Sequence, residues 1–212
     1  MATTLVNLRA KLNGELGVLT DAETAPWATT VRNNAISDGY ADLWRQGVWK
    51  AAKQDLSSAD DTWTYALTSI RKLNRVEVID GYGTVGEGKA RIEEDGVGGY
   101  QLVLATPIAV GFTIRVFGWT AYKSTFSGDA DTDDLAAEYN RIPLLKAKAI
   151  LYRQQLSLFA RYGERQAVAP EMNVSIDQLV GIISAAEREY ADACRELSGL
   201  RPRVGQARRF RA

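Results

Sequence analysis

Histidine occurs nowhere in the 212 residues. Its absence removes Ser–His–Asp and Cys–His nucleophile pairs, imidazole general bases and most catalytic zinc sites together. Cysteine occurs once, so an internal disulfide is excluded. Cys194 falls beside the apolar face of a helical pattern, where a small buried hydrophobe is the expected role. No apolar run approaches the length of a membrane span, and the opening MATTLVNLRAKLNG has no basic leader with an apolar core. We expect neither a transmembrane helix nor a signal peptide.

Net charge is missing too: 26 basic residues balance 26 acidic ones. The balance is uneven along the chain. Residues 199–212 hold five arginines and no carboxylate, which leaves the preceding chain five charges negative. Acids cluster at Asp60 and Asp61, at Glu93, Glu94 and Asp95, and at Asp129, Asp131, Asp133 and Asp134. A globally basic nucleic-acid-binding domain is disfavoured. A local basic arm on an acidic body suits an acidic protein partner, or a phosphate contact.

What is present is order. Leu5, Leu8 and Leu12 predict a short helix closed by Gly14. Thr24 is read as the cap of a second helix, with Pro26 in its first turn. Trp27, Val31, Ala35, Ile36, Tyr40, Leu43 and Trp44 form that helix's buried face, and Gly47 ends it. From residue 48 the period changes to two. Strand-like runs at 48–53, 63–67, 73–79, 100–105 and 113–122 are separated by turn signals at 57–61, 81–88, 95–99 and 107–111. Helical spacing resumes at 135–139 and continues past Pro143, which either opens or kinks the helix.

The last helix is the best marked. Ser175 and Gln178 form a capping box. Ile176, Leu179, Val180, Ile183, Ala186, Tyr190, Ala193 and Leu197 follow helical spacing. Gly199 and Pro202 are read as its stop. Helix, sheet, helix excludes an alternating parallel sheet. The predicted fold class is α+β: a bundle of N- and C-terminal helices (1–47 and 123–198), an inserted antiparallel β subdomain (48–122) and an extended C-terminal arm (199–212).

Three patterns invite chemistry. Gly81-Tyr-Gly83-Thr-Val-Gly86 satisfies G-x-G-x-x-G after a strand. A dinucleotide site also needs a helix to begin there and an acid about 20 residues on; neither is present, and a β-turn is the expected structure. Asp129, Asp131, Asp133 and Asp134 resemble a calcium loop, but the glycine precedes them and the closing glutamate is misplaced. Helix capping by Asp131 or Thr132 is the plainer reading. Paired-carboxylate catalysis needs acids held in a cleft, whereas these acids fall in predicted, solvated turns. We expect no enzyme, no cofactor and no metal. Five tryptophans could make a platform for single strands, yet Trp27 and Trp44 lie on a helical stripe and Trp63 and Trp119 in strand-like runs. Packing is expected for those four, and Trp49 is left open.

The arm carries Arg201, Arg203, Arg208, Arg209 and Arg211, with Phe210 as an apolar anchor. Extended, its 14 residues reach roughly 45 Å, and arginine pairs with carboxylates bidentately. Two readings follow: a docking arm for a protein partner, or a nucleic-acid-binding module that uses these arginines on phosphates.

Several phrases together resemble the head–tail adaptor (connector) proteins of tailed bacteriophages. These are Thr20-Asp-Ala-Glu23, Trp27, and Asn34-Ala-Ile-Ser-Asp-Gly-Tyr-Ala-Asp-Leu-Trp44 at the entry and first long helix. Trp63-Thr-Tyr-Ala-Leu67 and Arg75-Val-Glu-Val-Ile79 are similar to the first strands of the β insertion, and Leu102-Val-Leu-Ala-Thr-Pro-Ile-Ala-Val-Gly111 and Thr113-Ile-Arg-Val-Phe117 to the hairpin that closes it. Asp134-Leu-Ala-Ala-Glu-Tyr139 is similar to the return to the bundle. The resemblance implies a virion structural protein without catalysis, located in the neck and assembled in the host cytoplasm. It implies a ring of identical subunits, twelve in the usual arrangement, below the portal protein and above a stopper or tail component. DNA would pass through the channel without sequence-specific binding. It further implies that Arg201, Arg203, Arg208, Arg209, Phe210 and Arg211 dock into the portal. Glu93, Glu94, Asp95, Asp129, Asp131, Asp133 and Asp134 then become candidate acids for the lumen or ring contacts.

Overall fold

A computed structural model describes residues 2–17, 27–162 and 175–199, with backbone alone at 159–162. Four helices lie along them: α1 (Leu5–Leu16), α2 (Thr29–Arg45), α3 (Arg141–Tyr162) and α4 (Ile176–Gly199). Between α2 and α3 come seven strands: β1 (Lys50–Ser57), β2 (Thr64–Leu67), β3 (Lys72–Asp80), β4 (Gly83–Gly88), β5 (Ala90–Glu94), β6 (Tyr100–Leu104) and β7 (Thr113–Thr120). The fold class is α+β, with antiparallel pairing throughout. Two compact units result, one helical (residues up to 48 and from 122) and one of strands (49–121).

In the helical unit α3 packs against all three other helices. Its core joins Leu5, Leu8, Leu12 and Leu16 of α1 to Ala35, Ile36, Tyr40 and Leu43 of α2, with Leu144, Leu145, Ala147 and Leu151 of α3 and Leu179, Ile183 and Tyr190 of α4. Each stripe has the spacing of one helical face.

The helix ends depart from expectation in instructive ways. α1 runs past Gly14, whose missing side chain faces open space, and stops at Gly17 in the left-handed region (φ 73°). Leu16 extends the buried stripe, and that burial outweighs the modest cost of an interior glycine. α2 starts at Thr29, later than the capping reading placed it; Thr24 and Pro26 lie outside the described residues. Ala28 is extended, and Trp27 before it is buried edge-on against the Tyr152 ring at 5.5 Å. Residues 135–139, expected to be helical, form turns, and Pro143 sits in the opening turn of α3, where its missing N–H costs nothing.

The capping box of α4 is formed reciprocally. Ser175 N donates to Gln178 Oε1 (2.8 Å), and Gln178 N donates to Ser175 Oγ (3.2 Å). The buried stripe is Leu179, Ile183, Ala186, Tyr190 and Cys194. Ile176 and Val180, expected on it, are exposed, and Gly199 belongs to the helix instead of stopping it.

In the β unit one sheet has the order β1-β7-β3-β4 and the other β2-β6-β5. Val76, Ile114 and Val116 of the first pack with Leu67, Leu102 and Leu104 of the second and with Ile70 between them. β1 and β7 alternate inward and outward residues, as one covered face requires. β4 and β5 occupy a stretch in which the sequence reading placed a turn at 81–88 and no strand at 89–94. The turn itself is only Gly81-Tyr82, closed by Asp80 Oδ1, which accepts from Tyr82 N (2.8 Å) and Gly83 N (2.9 Å). No helix follows, so the glycine pattern has no phosphate-binding helix start.

Candidate functional site

The residues that sequence reasoning marked as candidate sites fall in three separate stretches of the chain. Arg201, Arg203, Arg208, Arg209, Phe210 and Arg211 lie outside the described residues. Glu93, Glu94 and Asp95 belong to the β unit; Asp129, Asp131, Asp133 and Asp134 belong to the helical unit.

The second group turns out to be a clasp. Its backbone reaches the N-terminus of α1, where Thr4 makes no side-chain cap. Leu5 N donates to Asp131 O (2.8 Å) and Val6 N to Asp129 O (3.3 Å), so carbonyls of the acidic connector satisfy α1's orphan amides. Thr4 and Thr132 form an antiparallel bridge, and Asp133 N donates to Thr3 O. The side chains reinforce this. Asp129 pairs with Arg9 of α1 at 2.9 Å while remaining largely exposed itself. Asp131 accepts from the amide and hydroxyl of Ser127, from Gly128 N and from Lys123 Nζ. The Ser127 amide, then its hydroxyl and Lys123, hold the Asp131 carboxyl well below the usual carboxylate range. No helix begins there, so the capping role expected of Asp131 or Thr132 is replaced by closure of a short loop. Asp134 accepts from Lys123 N (2.9 Å).

Asp133 is the centre of the clasp and corrects the reading of these acids as solvated. It is 2% exposed. Thr3 N donates to Oδ1 (2.7 Å), and the Tyr40 hydroxyl donates to Oδ2 (2.6 Å). The Asn140 amide, oriented to satisfy its surroundings, donates to Oδ2 (2.7 Å) and to Ala136 O (3.2 Å) and accepts the Thr3 hydroxyl. One carboxylate thereby ties the N-terminal segment, α2 and the start of α3 together. Burial, then the Asp133 carboxylate, push the Tyr40 hydroxyl pKa far upward, so Tyr40 stays a donor. Tyr40 also stacks edge-on with Phe126 of the connector (5.4 Å). A carboxylate filled by three donors inside a core has no reach to a substrate or to DNA. Asp133 is therefore withdrawn from the candidate lumen acids.

A second buried polar contact was also missed. Arg32 of α2 donates to Asn13 Oδ1 of α1 at 2.6 Å, and both are buried. The signal existed, because Arg32, Ile36, Tyr40 and Leu43 share one helical stripe. Cys194 is buried as expected, and its thiol pKa is pushed up to about 11 by that burial, which leaves it unreactive at neutral pH.

In the β unit, Asp95 Oδ1 accepts from Val97 N (2.9 Å) and Gly99 N (2.7 Å), closing the β5–β6 turn. Glu93 pairs with Arg91 on the same strand. The outer face of the four-stranded sheet carries the more ordered charge. Asp55, Arg115, Glu77 and Glu87 stand in one cross-strand row, with Lys53, Phe117 and Arg75 in the next. Arg115 grips Asp55 bidentately (2.8 and 2.9 Å) and holds its carboxyl below the usual range. Arg75 pairs with Glu77 (2.9 Å) and lies over the Phe117 ring (4.4 Å). Lys72 stands 3.9 Å above the Trp49 ring, which also packs with Trp119, so Trp49 is a cation-bearing packing residue. Trp63 is 48% exposed, contrary to the packing expected of it, and Trp44 is half-buried.

Among the described residues no group of three or more Cys, Asp or Glu could hold a metal ion, and no helix is long and apolar enough to cross a membrane. The geometry is that of structural clasps and ordered surfaces.

No family model matches the chain, and no curated protein matches it. Among solved structures it is similar to a chain in the neck of an empty GTA particle, computed with C6 symmetry. That similarity has 12% identity, covers 88% of this chain and 94% of the other, and has a TM-score of 0.31. At that score the likeness carries no argument about function.

Proposed function

We propose that the chain is a virion structural protein of the neck: a head-to-tail adaptor that forms a ring beneath the portal and continues the DNA channel. The observation that supports this reading best is where the resembling phrases fall. Asn34 to Trp44 lies within α2, and Trp63 to Leu67 supplies β2. Arg75 to Ile79 lies within β3, Leu102 opens a phrase that ends β6, and Thr113 to Phe117 begins β7. The first takes a helix and the others strands, in the order the resemblance gives, but β6 and β7 lie in different sheets instead of forming a closing hairpin, and Asp134 to Tyr139 forms turns.

The acidic connector fits this role in a different way from the one first expected. Its acids mostly lock α1 to the bundle. Asp129, Glu94 and Asp95 keep exposed carboxylates that could face a lumen. A lumen lined by acids would repel DNA phosphates and let the duplex slide. The arm that follows α4 would engage the portal through its arginines and Phe210.

The test is co-sedimentation of the full chain with portal-bearing capsids and with duplex DNA, each over a range of salt. Binding to capsids that requires the portal, with no DNA binding, supports the adaptor. Salt-sensitive DNA binding with no attachment to portal overturns it in favour of a nucleic-acid module.

A further inference from the structure

We propose that the two edge strands of the four-stranded sheet among the described residues, β4 and β1, pair head to tail between neighbouring copies of this chain, with Glu87 of one copy opposite Lys53 of the next. This rests on the adaptor reading for its use, since it supplies a ring contact.

Strand direction comes first. Every neighbouring pair in the order β1-β7-β3-β4 is antiparallel, so the two edge strands run in opposite directions. A second copy placed beside the first in the same orientation therefore sets its β1 antiparallel to β4. The sheet extends without inverting the molecule. Such heterologous contacts repeat around an axis and close into rings when the rotation allows.

The edges are also shaped for approach. β1 pairs with β7 over eight consecutive residues with no shift of register, and among the described residues no further strand pairs with its other side. β4 contains Gly83, Gly86 and Gly88 and no proline, and no side chain at 86 or 88 blocks an incoming backbone. The register shift at Val78/Ile79 bends β4 toward its turn, which leaves residues 86–88 as the straight part of the edge.

Face and charge then choose the register. Glu87 lies on the outer face, in the row that contains Asp55, and Lys53 and Asp55 share that face on β1. A continuous sheet must set Glu87 opposite another outer-face residue, because a slip by one residue reverses the faces. Opposite Asp55 it would meet a like charge; opposite Lys53 it meets its complement. Within its own chain Glu87 stands beside Glu77, whose cation is Arg75, and no cation pairs with Glu87 among the described residues. Lys53 is half exposed and makes only a loose 3.5 Å contact with Asp55. A symmetric β4 contact centred on Glu87 brings glutamates together, and a symmetric β1 contact, which can set Lys53 opposite Asp55, is told apart by the Glu87→Lys variant, which would leave it unaffected.

The experiment uses sedimentation velocity of the full chain across concentration, alone and with portal protein, for the wild type, Glu87→Lys, Lys53→Glu and the double variant. Each single variant should self-associate at least about fivefold more weakly, and the double variant should recover. An equimolar mixture of the two single variants should recover as well, because alternating copies restore opposite charges at both kinds of contact. Circular dichroism should show all variants folded, as both positions are at the surface. Single variants that associate like the wild type, a mixture that fails to recover, or a chain monomeric in every condition would overturn the proposal. Association that ignores these charges, with portal attachment intact, would sink the edge contact and leave the adaptor reading standing. Loss of portal attachment by the wild type would sink the reading itself.

Discussion

Replacing Tyr40 by phenylalanine removes one oxygen and leaves the ring in place. The ring is fully buried, stacks with Phe126, and fills the same space without its hydroxyl. What disappears is the 2.6 Å donation to Asp133 Oδ2, inside a site where the carboxylate is itself 2% exposed. A hydrogen bond to a charged group with no water to replace it contributes about 1.5–3 kcal/mol. Thr3 N and the Asn140 amide still hold the carboxylate, so the loss should fall near the middle, about 2 kcal/mol. For a chain of this length that corresponds to a fall in melting temperature of roughly 4–8 °C. Urea unfolding followed by far-UV circular dichroism reads it as a lower midpoint at unchanged slope. A loss below about 0.5 kcal/mol would refute the view that Asp133 ties the N-terminal segment, α2 and the start of α3 together.

Further expectations follow from the same geometry. Gly39→Ala would drive a Cβ into the Pro143 carbonyl oxygen, where α2 and α3 cross; overpacking of about 1–3 kcal/mol should exceed the roughly 1 kcal/mol of helix propensity gained, read as a lower urea midpoint. Asp131→Asn should flatten the acid limb of stability against pH. The folded carboxyl lies below its usual value, so its contribution is present above about pH 4 and is lost as pH falls further. Urea titrations at several acid pH values should show the wild type losing stability faster than the variant across that window.

Much of the architecture was legible because period and punctuation agree. The Ser175–Gln178 box marked the start of α4 to the residue, since a reciprocal cap needs only local partners. The Leu5, Leu8, Leu12 stripe and the alternation in β7 were equally plain. What escaped the sequence depends on long-range partners. β4 is exposed along most of its length and glycine-rich, so it has no hydrophobic period to read, and only pairing with β3 makes it a strand. The aspartates at 129–134 resemble any solvated run until Thr3, Tyr40 and Asn140 reach Asp133 from 130 and 93 residues earlier and seven later. Arg32 shows the same limit: its place on a buried stripe was visible, but Asn13 as its acceptor was not. The candidate arm lies beyond the described residues, and its role rests on composition and resemblance.

The account's central claim is attachment to the portal through that arm. The most direct measurement is electron microscopy of portal-bearing capsids mixed with the full chain or with a chain ending at Gly199. The account predicts a ring of density below the portal with the full chain, density continuing from it into the portal, and bare portals with the shortened chain. Equal rings in both samples would contradict it.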